Sequence, residues 1–225
     1  LIMLLAIDTS TEWIGIALFN GHNVLAEQIW RSKNYHTVEL IPAIKEMLTK
    51  TQTKASSLTG VGVALGPGSF TGLRIGLSAA KGIALGRNLP VAGVPSLEIL
   101  AAAQPGLRRP MLAFLEVGRG RYAYVRYQYK QGSWQAVTDI TVNDIRAMAA
   151  TIKSPTYVVG DMDAEQRQIL GRKWKTARLA PPSLCLRRPA VLAELAWAKI
   201  QAGQADDAAS LAPIYVHTLS NVPDL

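Results

Sequence analysis

The stretch LLAIDTSTEWIGIALF, Leu4–Phe19, sets the fold. Four apolar residues run into a carboxylate, Asp8. Thr9, Ser10 and Thr11 turn the chain, and Ile14, Ile16 and Leu18 then alternate as one face of a half-buried strand does. Gly21 and His22 make a second turn, and VLAEQIW returns as a third strand. A shift of 108 positions lays this meander on another: Asp8 falls on Glu116, which closes MLAFLE, and Ile14 and Ile16 fall on Tyr122 and Tyr124. RYAYVRYQYKQGSWQAVTDI then repeats the turn and return. A duplicated β-meander followed by helices predicts an α/β fold of two similar lobes. The strand-end carboxylates Asp8 and Glu116 are expected to look into the cleft between them.

Outward from the first meander, Leu40, Ile41, Ile44, Met47 and Leu48 recur at helical spacing, so the pattern predicts a helix over Thr37–Lys50 with Thr37 as its cap. Pro42 limits where that helix begins, since it is tolerated near the first turn and kinks a helix deeper in. GVGVALG (60–66) and LPVAGV (89–94) are buried strands, and SLEILAAAQ is a helix capped by Ser96. The first half therefore reads β-β-β-α-β-α-β-α. GLRRP (106–110) marks a boundary between an N-terminal lobe, 1–105, and a C-terminal lobe, 106–225. In the second lobe a helix is expected near Val142, a strand at 156–160 and a long helix from Pro189 to Gln201, which is free to pack back on the first lobe.

Between strand and helix lies GPGSFTGLRIGLSAAKGIALG, Gly66–Gly86. It is not a P-loop, because Leu73 stands where G-x-x-x-x-G-K-[ST] needs lysine. Ser69 is not a nucleophile elbow, because Pro67 and Thr71 occupy the glycine positions of G-x-S-x-G. The plain reading is a tight turn into a helix capped by Ser69 or Thr71, with free amides on which a phosphate or a partner carbonyl can sit. Asp8, Thr9, Ser10, Gly66, Gly68 and Ser69 are thus the candidate nucleotide or phosphate contacts. Ser10 crowds the turn after Asp8 where glycine lets backbone approach phosphate best, and the carboxylate serves equally as a cap on its own turn.

In the helix, Gly72, Gly76, Ala80 and Ala84 recur every four residues as a stripe of small side chains. Two glycines cost a helix about 2 kcal/mol against alanine, which close packing has to offset. A helix apolar nearly all round is either central core or has one side waiting for a partner; core alone is the simpler reading, and the small stripe favours an approach surface for another helix. The candidate partner interface is Gly72, Leu73, Gly76, Leu77, Ala80 and Ala84, with Leu40, Ile44 and Met47 from the preceding helix.

The 225 residues carry a net charge of +8 and are 49% hydrophobic. Arg167, Arg172, Lys173, Lys175, Arg178, Arg187 and Arg188 fall in one run without an acid. Such a balance suits a polyanion such as nucleic acid, and a solvated face accounts for it equally. Cys185 is the only cysteine, so no intrachain disulfide exists and a reducing cytoplasm is expected. No apolar run reaches membrane-span length. The opening LIMLLAI lacks a basic region and reads as a strand and not a signal peptide, with Met3 as the natural start after Leu1 and Ile2. His22, His36 and His217 are far apart, and no H-E-x-x-H or H-x-x-x-H occurs, so neither metal nor cofactor is expected. GRGRYA (118–123) matches G-x-G-x-x-A but precedes a strand pattern where a dinucleotide fold demands a helix.

LLAIDTSTEWIGIAL, HTVELIPAI, GVGVALGPGSFTGLRIGLSAAKGIALG and VAGVPSLEILA together resemble the TsaB family, also called YeaZ. The likeness covers residues 3–103 strongly and the rest in outline. APIYVH resembles the family's closing motif, whereas Glu116 and Val117 depart from its usual Asp-Ala-Arg. The resemblance implies an actin/hsp70/sugar-kinase-like fold. It also implies a non-catalytic subunit in tRNA threonylcarbamoyladenosine synthesis that pairs with the transferase TsaD through a four-helix bundle and recruits the ATPase TsaE. Homodimers through the same helices (about 37–50 and 71–86) are implied when TsaD is absent, and tRNA is reached through the complex. His36 is followed four residues later by Leu40, so the transferase's H-x-x-x-H metal site is missing. The competing readings are an ATP–Mg²⁺ phosphotransferase of the same fold acting through Asp8, and an M22-type glycoprotease, which needs clustered metal ligands.

Overall fold

Residues 2–32, 35–173 and 175–216 are described by the computed structural model, so Leu1 and His217 lie outside the described residues. The first lobe runs β1 (Leu4–Asp8), β2 (Trp13–Phe19), β3 (Val24–Arg31), α1 (His36–Lys50), β4 (Gly60–Ala64), α2 (Phe70–Arg87), β5 (Val91–Val94) and α3 (Ser96–Ala102). Its sheet has the order β3-β2-β1-β4-β5, with the meander antiparallel and β1, β4 and β5 parallel. The second lobe runs β6 (Met111–Glu116), β7 (Arg121–Lys130), β8 (Ser133–Ala136), β9 (Thr141–Asp144), α4 (Ile145–Ala150), β10 (Thr156–Gly160), α5 (Ala164–Gly171) and β11 (Ala177–Leu179). Its order, β11-β10-β6-β7-β8 with β9 also on β7, repeats the first sheet strand for strand. This is the two-lobed actin/hsp70/sugar-kinase-like architecture, and the duplication seen in sequence is its cause. Finally α6 (Pro189–Gln201) follows.

Every residue of β1 is buried, as a central strand covered on both faces requires. Leu5 and Ile7 join Leu40, Ile44 and Met47 of α1 and Leu77, Ala80 and Ala84 of α2 in one core. Leu4 and Ala6 face the other way, into a layer with Leu192, Ala193 and Ala196 of α6. α6 therefore covers the first lobe's sheet although it follows the second lobe in sequence. Its approach is close: a Cβ on Gly62 would sit 2.7 Å from the Ala196 Cβ. Beyond α6 the chain stays on the first lobe, where Asp206 N donates to Val91 O and Ile214 N to Leu65 O.

Three local expectations change. α1 begins one residue early, at His36, and Thr37 does not cap it; Pro42 sits in its second turn. The Ser96 hydroxyl does not cap α3 but accepts from Gly66 N at 3.1 Å, tying two loops together. Val142 belongs to β9, and the helix expected there starts at Ile145, where Asp144 accepts from the amides of Arg146 and Ala147.

Candidate functional site

The β1–β2 turn is the centre of the molecule's polar chemistry. Asp8 is buried and does not reach the cleft. Arg187, just ahead of α6, places its Nε 2.7 Å from Asp8 Oδ2, and both side chains are 3% exposed. The backbone N–H and the hydroxyl of Ser10 donate to the other oxygen, Oδ1, at 2.9 and 2.6 Å. The guanidinium also donates to Thr11 Oγ1 at 2.7 Å. Both carboxylate oxygens are thus committed to the chain's own donors, which corrects the expectation that Asp8 looks into the cleft as a cation ligand.

The glycine-rich loop closes over the same turn. Ser69 N donates to Ser10 O at 2.7 Å, and a Cβ on Gly68 would lie 1.9 Å from that oxygen. One on Gly72 would lie 2.2 Å from Thr9 O, and one on Gly76 equally near Thr9 Oγ1, which itself donates to Gly72 O at 2.7 Å. Ser69 caps α2 through Gly72 N. Gly66, at φ +99°, exchanges hydrogen bonds with Ser96. The candidate phosphate contacts Asp8, Thr9, Ser10, Gly66, Gly68 and Ser69 therefore come together, but largely on one another. The glycines are required because backbone crosses backbone here.

The small stripe is turned the same way. Gly72, Gly76, Ala80 and Ala84, with Leu73 and Leu77, are the buried side of α2, and Leu40, Ile44 and Met47 are the buried side of α1. They pack on Thr9 and on the sheet, so the close-packing role of the stripe is intramolecular and these nine side chains are not offered to a partner. The outward side carries apolar residues that lie outside the candidate interface. Val38 and Ile41 on α1 are 63% and 54% exposed, and Leu85 on α2 is 62% exposed. At Gly82 and Gly86, offset from the buried stripe, a Cβ would meet nothing within 4 Å among the described residues. Because α1 and α2 share one core against one sheet face, their outward sides look the same way. The i, i+4 pair Gly82 and Gly86 is the sequence signal for that second face.

Between the lobes lies a cleft of about 1020 Å³. Glu116, Asp161 and Asp163 line it from the second lobe, with Glu12 and Trp13 from the first and Ser69 and Thr71 at the start of α2. Trp13 bridges the lobes, its indole N–H donating to Asp161 Oδ2 at 2.8 Å. Gly118, Arg119 and Gly120, all at positive φ, form the β6–β7 turn at its edge. His36 is buried with Nε2 2.9 Å from Thr11 O. Among the described residues no three His, Cys, Asp or Glu side chains gather as a metal site needs.

The family model described as TsaD, tRNA N6-adenosine threonylcarbamoyltransferase, matches residues 23–212. The tRNA threonylcarbamoyladenosine biosynthesis protein TsaB of Bacillus subtilis (strain 168) is 33% identical over 170 residues, which are 74% of each chain. The chain belongs to the TsaB (YeaZ) family. Escherichia coli TsaB is 36% identical over 135 residues, 58% of each chain. YeaZ from Pseudomonas aeruginosa has the same fold, with a TM-score of 0.77 at 23% identity over 96% of this chain and 100% of that one. In this member of the TsaB family, the role that the sequence conceals is that of Arg187. It lies in a basic run and pairs with Asp8 across 179 positions, and no local pattern announces such a contact.

Proposed function

We propose that this chain is a subunit without chemistry of its own that pairs with the transferase TsaD, and with it recruits the ATPase TsaE, in cytoplasmic tRNA N6-threonylcarbamoyladenosine biosynthesis. The names of its B. subtilis and E. coli relatives support the pathway. The observation that carries the pairing is the outward face of α1 and α2. An exposed helical glycine costs about 1 kcal/mol against alanine, and nothing among the described residues needs Gly82 or Gly86 to lack a side chain. A helix of another protein lying along α2 does need it, with Val38, Ile41 and Leu85 as the apolar flank that it covers. When TsaD is absent, a second copy of this chain fits the same face. The Arg187–Asp8 pair supports the lack of chemistry, since the strand-end carboxylate is already neutralised.

Gel filtration of the chain with the TsaD of its own organism tests the reading. Co-elution that is lost in the Ile41→Glu, Leu85→Glu double variant, with that variant still folded by circular dichroism, is expected. Co-elution that survives the double variant overturns it. The open interlobe cleft favours one second reading, an ATP-binding phosphotransferase. Tight binding of ATP–Mg²⁺ by the isolated chain in calorimetry is the result that would carry it.

A further inference from the structure

We propose that the end of the second lobe farthest from the cleft is an RNA-backbone contact surface. Met111 of β6 stands in register with Tyr127 of β7 and with Tyr157 of β10, and Tyr157 stands in register with Arg178 of β11. These four positions form one row across four strands, about 14 Å wide at ~4.8 Å per strand. The chain just beyond that row is basic at every strand. Arg108 and Arg109 lead into β6, Lys130 ends β7, Lys153 precedes β10, and Arg172 and Lys173 precede β11, which carries Arg178 itself. All are exposed, and none makes an ion pair among the described residues.

The segments that build this end, 103–111, 127–137, 150–160, 171–173 and 175–181, contain no Asp or Glu. The lobe's carboxylates Glu116, Asp161 and Asp163 sit at the opposite ends of the same strands, in the cleft. The parallel order of β6, β10 and β11 creates much of this separation. β6 and β10 begin at the basic end and finish at the acidic one, antiparallel β7 runs from the cleft to Lys130, and α5 runs back from its Asp163 cap to Arg172. The field therefore points one way along the lobe. Across the wider basic run of the sequence the cations divide by role. Arg187 and Arg188 pair with Asp8 and Glu27, and Arg167 donates to Ala180 O, whereas Arg172, Lys173 and Arg178 belong to the open end. Unpaired cations on such an edge gain by neutralising phosphates and releasing their counterions. RNA is the occupant that the charge and the proposed role in tRNA modification favour together. The inference rests on that role only for the identity of the nucleic acid. The surface lies on the second lobe, away from α1 and α2, so both can be engaged at once.

The test uses the full chain and a fluorescently labelled tRNA transcript, followed by anisotropy at several salt concentrations. Contacts to about four phosphates give a slope of log K against log salt of roughly −3 to −4. Arg109→Glu with Arg178→Glu, which lowers the net charge from +8 to +4, is expected to weaken binding more than tenfold and to make the slope shallower by about 2. Lys45→Glu with Lys54→Glu on the first lobe makes the same change in net charge and is expected to leave binding within about twofold. If the reversed pair disturbs folding by circular dichroism, Arg109→Gln with Arg178→Gln replaces it, with a smaller loss in the same direction. Equal loss in the two pairs, or no salt-dependent binding by the wild type, overturns the proposal. So does equal affinity for vesicles of phosphatidylcholine with a quarter phosphatidylglycerol, since it assigns the edge to anionic membrane instead. Retained pairing of the reversed variant with TsaD separates this result from the fate of the pairing reading.

Discussion

Glycine substitutions along α2 should change stability with opposite signs on its two sides. Gly82 has open space where a Cβ would go and is not at positive φ. Gly82→Ala therefore keeps the helix and removes backbone freedom from the unfolded chain, for a gain of about 1 kcal/mol. Gly86, in the last turn, should gain about half as much. In a chain of this size a gain of 1 kcal/mol raises Tm by about 2–4 °C. Gly76→Ala has the same propensity gain, but its Cβ would fall 2.2 Å from Thr9 Oγ1. Thr9 must then move and lose its bond to Gly72 O, so a net loss of about 1–3 kcal/mol is expected from overpacking. Urea denaturation of the three variants, with unchanged m-values, measures these differences. Pairing gives the second arm: Gly82→Leu should stay folded yet weaken association with TsaD at least tenfold, about 1.4 kcal/mol. Destabilisation by Gly82→Ala would mean that this side is already covered. Undiminished pairing of Gly82→Leu would mean that it is open for no reason, and either result refutes the reasoning.

Arg187→Met should cost about 3–5 kcal/mol, because it leaves the Asp8 carboxylate buried without its counter-ion; Asp8→Leu added to it should recover part of that loss in a double-mutant cycle by urea denaturation. Gly68→Ala meets backbone, Ser10 O at 1.9 Å, and should lower the yield of folded protein more than Gly76→Ala, as read by soluble expression and melting temperature. Burial holds the phenols of Tyr122, Tyr127 and Tyr157 above the ordinary tyrosine range. The unfolded chain therefore ionises first, near pH ~10. Stability is whole below that pH and falls as pH rises through it. Tyr127→Phe should flatten the fall, measured as the urea midpoint on either side of pH ~10.

The lobes were legible because their sheets repeat a pattern that local chemistry writes plainly. An apolar strand ends in a carboxylate, a polar turn follows, and an alternating strand returns. The elements that escaped notice are those with little burial to pattern them. α5 has Leu170 as its buried residue and is fixed mainly by the Asp163–Gln166 capping box, and β11 is three residues long. At the site, the glycine and alanine stripe of α2 was visible, but its direction was not. A stripe of small residues says that something comes close, and only the fold shows that Thr9 of the same chain does so. Arg187 illustrates the complementary limit: its charge was counted in a basic run, while its partner lies at the far end of the sequence.

The central claim is that the outward side of α1 and α2 receives TsaD. Hydrogen exchange of this chain alone and in the presence of saturating TsaD from the same organism tests it most directly. The account predicts added protection concentrated in α1 and α2, around Val38–Ile41 and Gly82–Gly86, with the amides of α6 unchanged. Protection confined to the interlobe cleft or to the second lobe, with α1 and α2 exchanging as in the free chain, would contradict it.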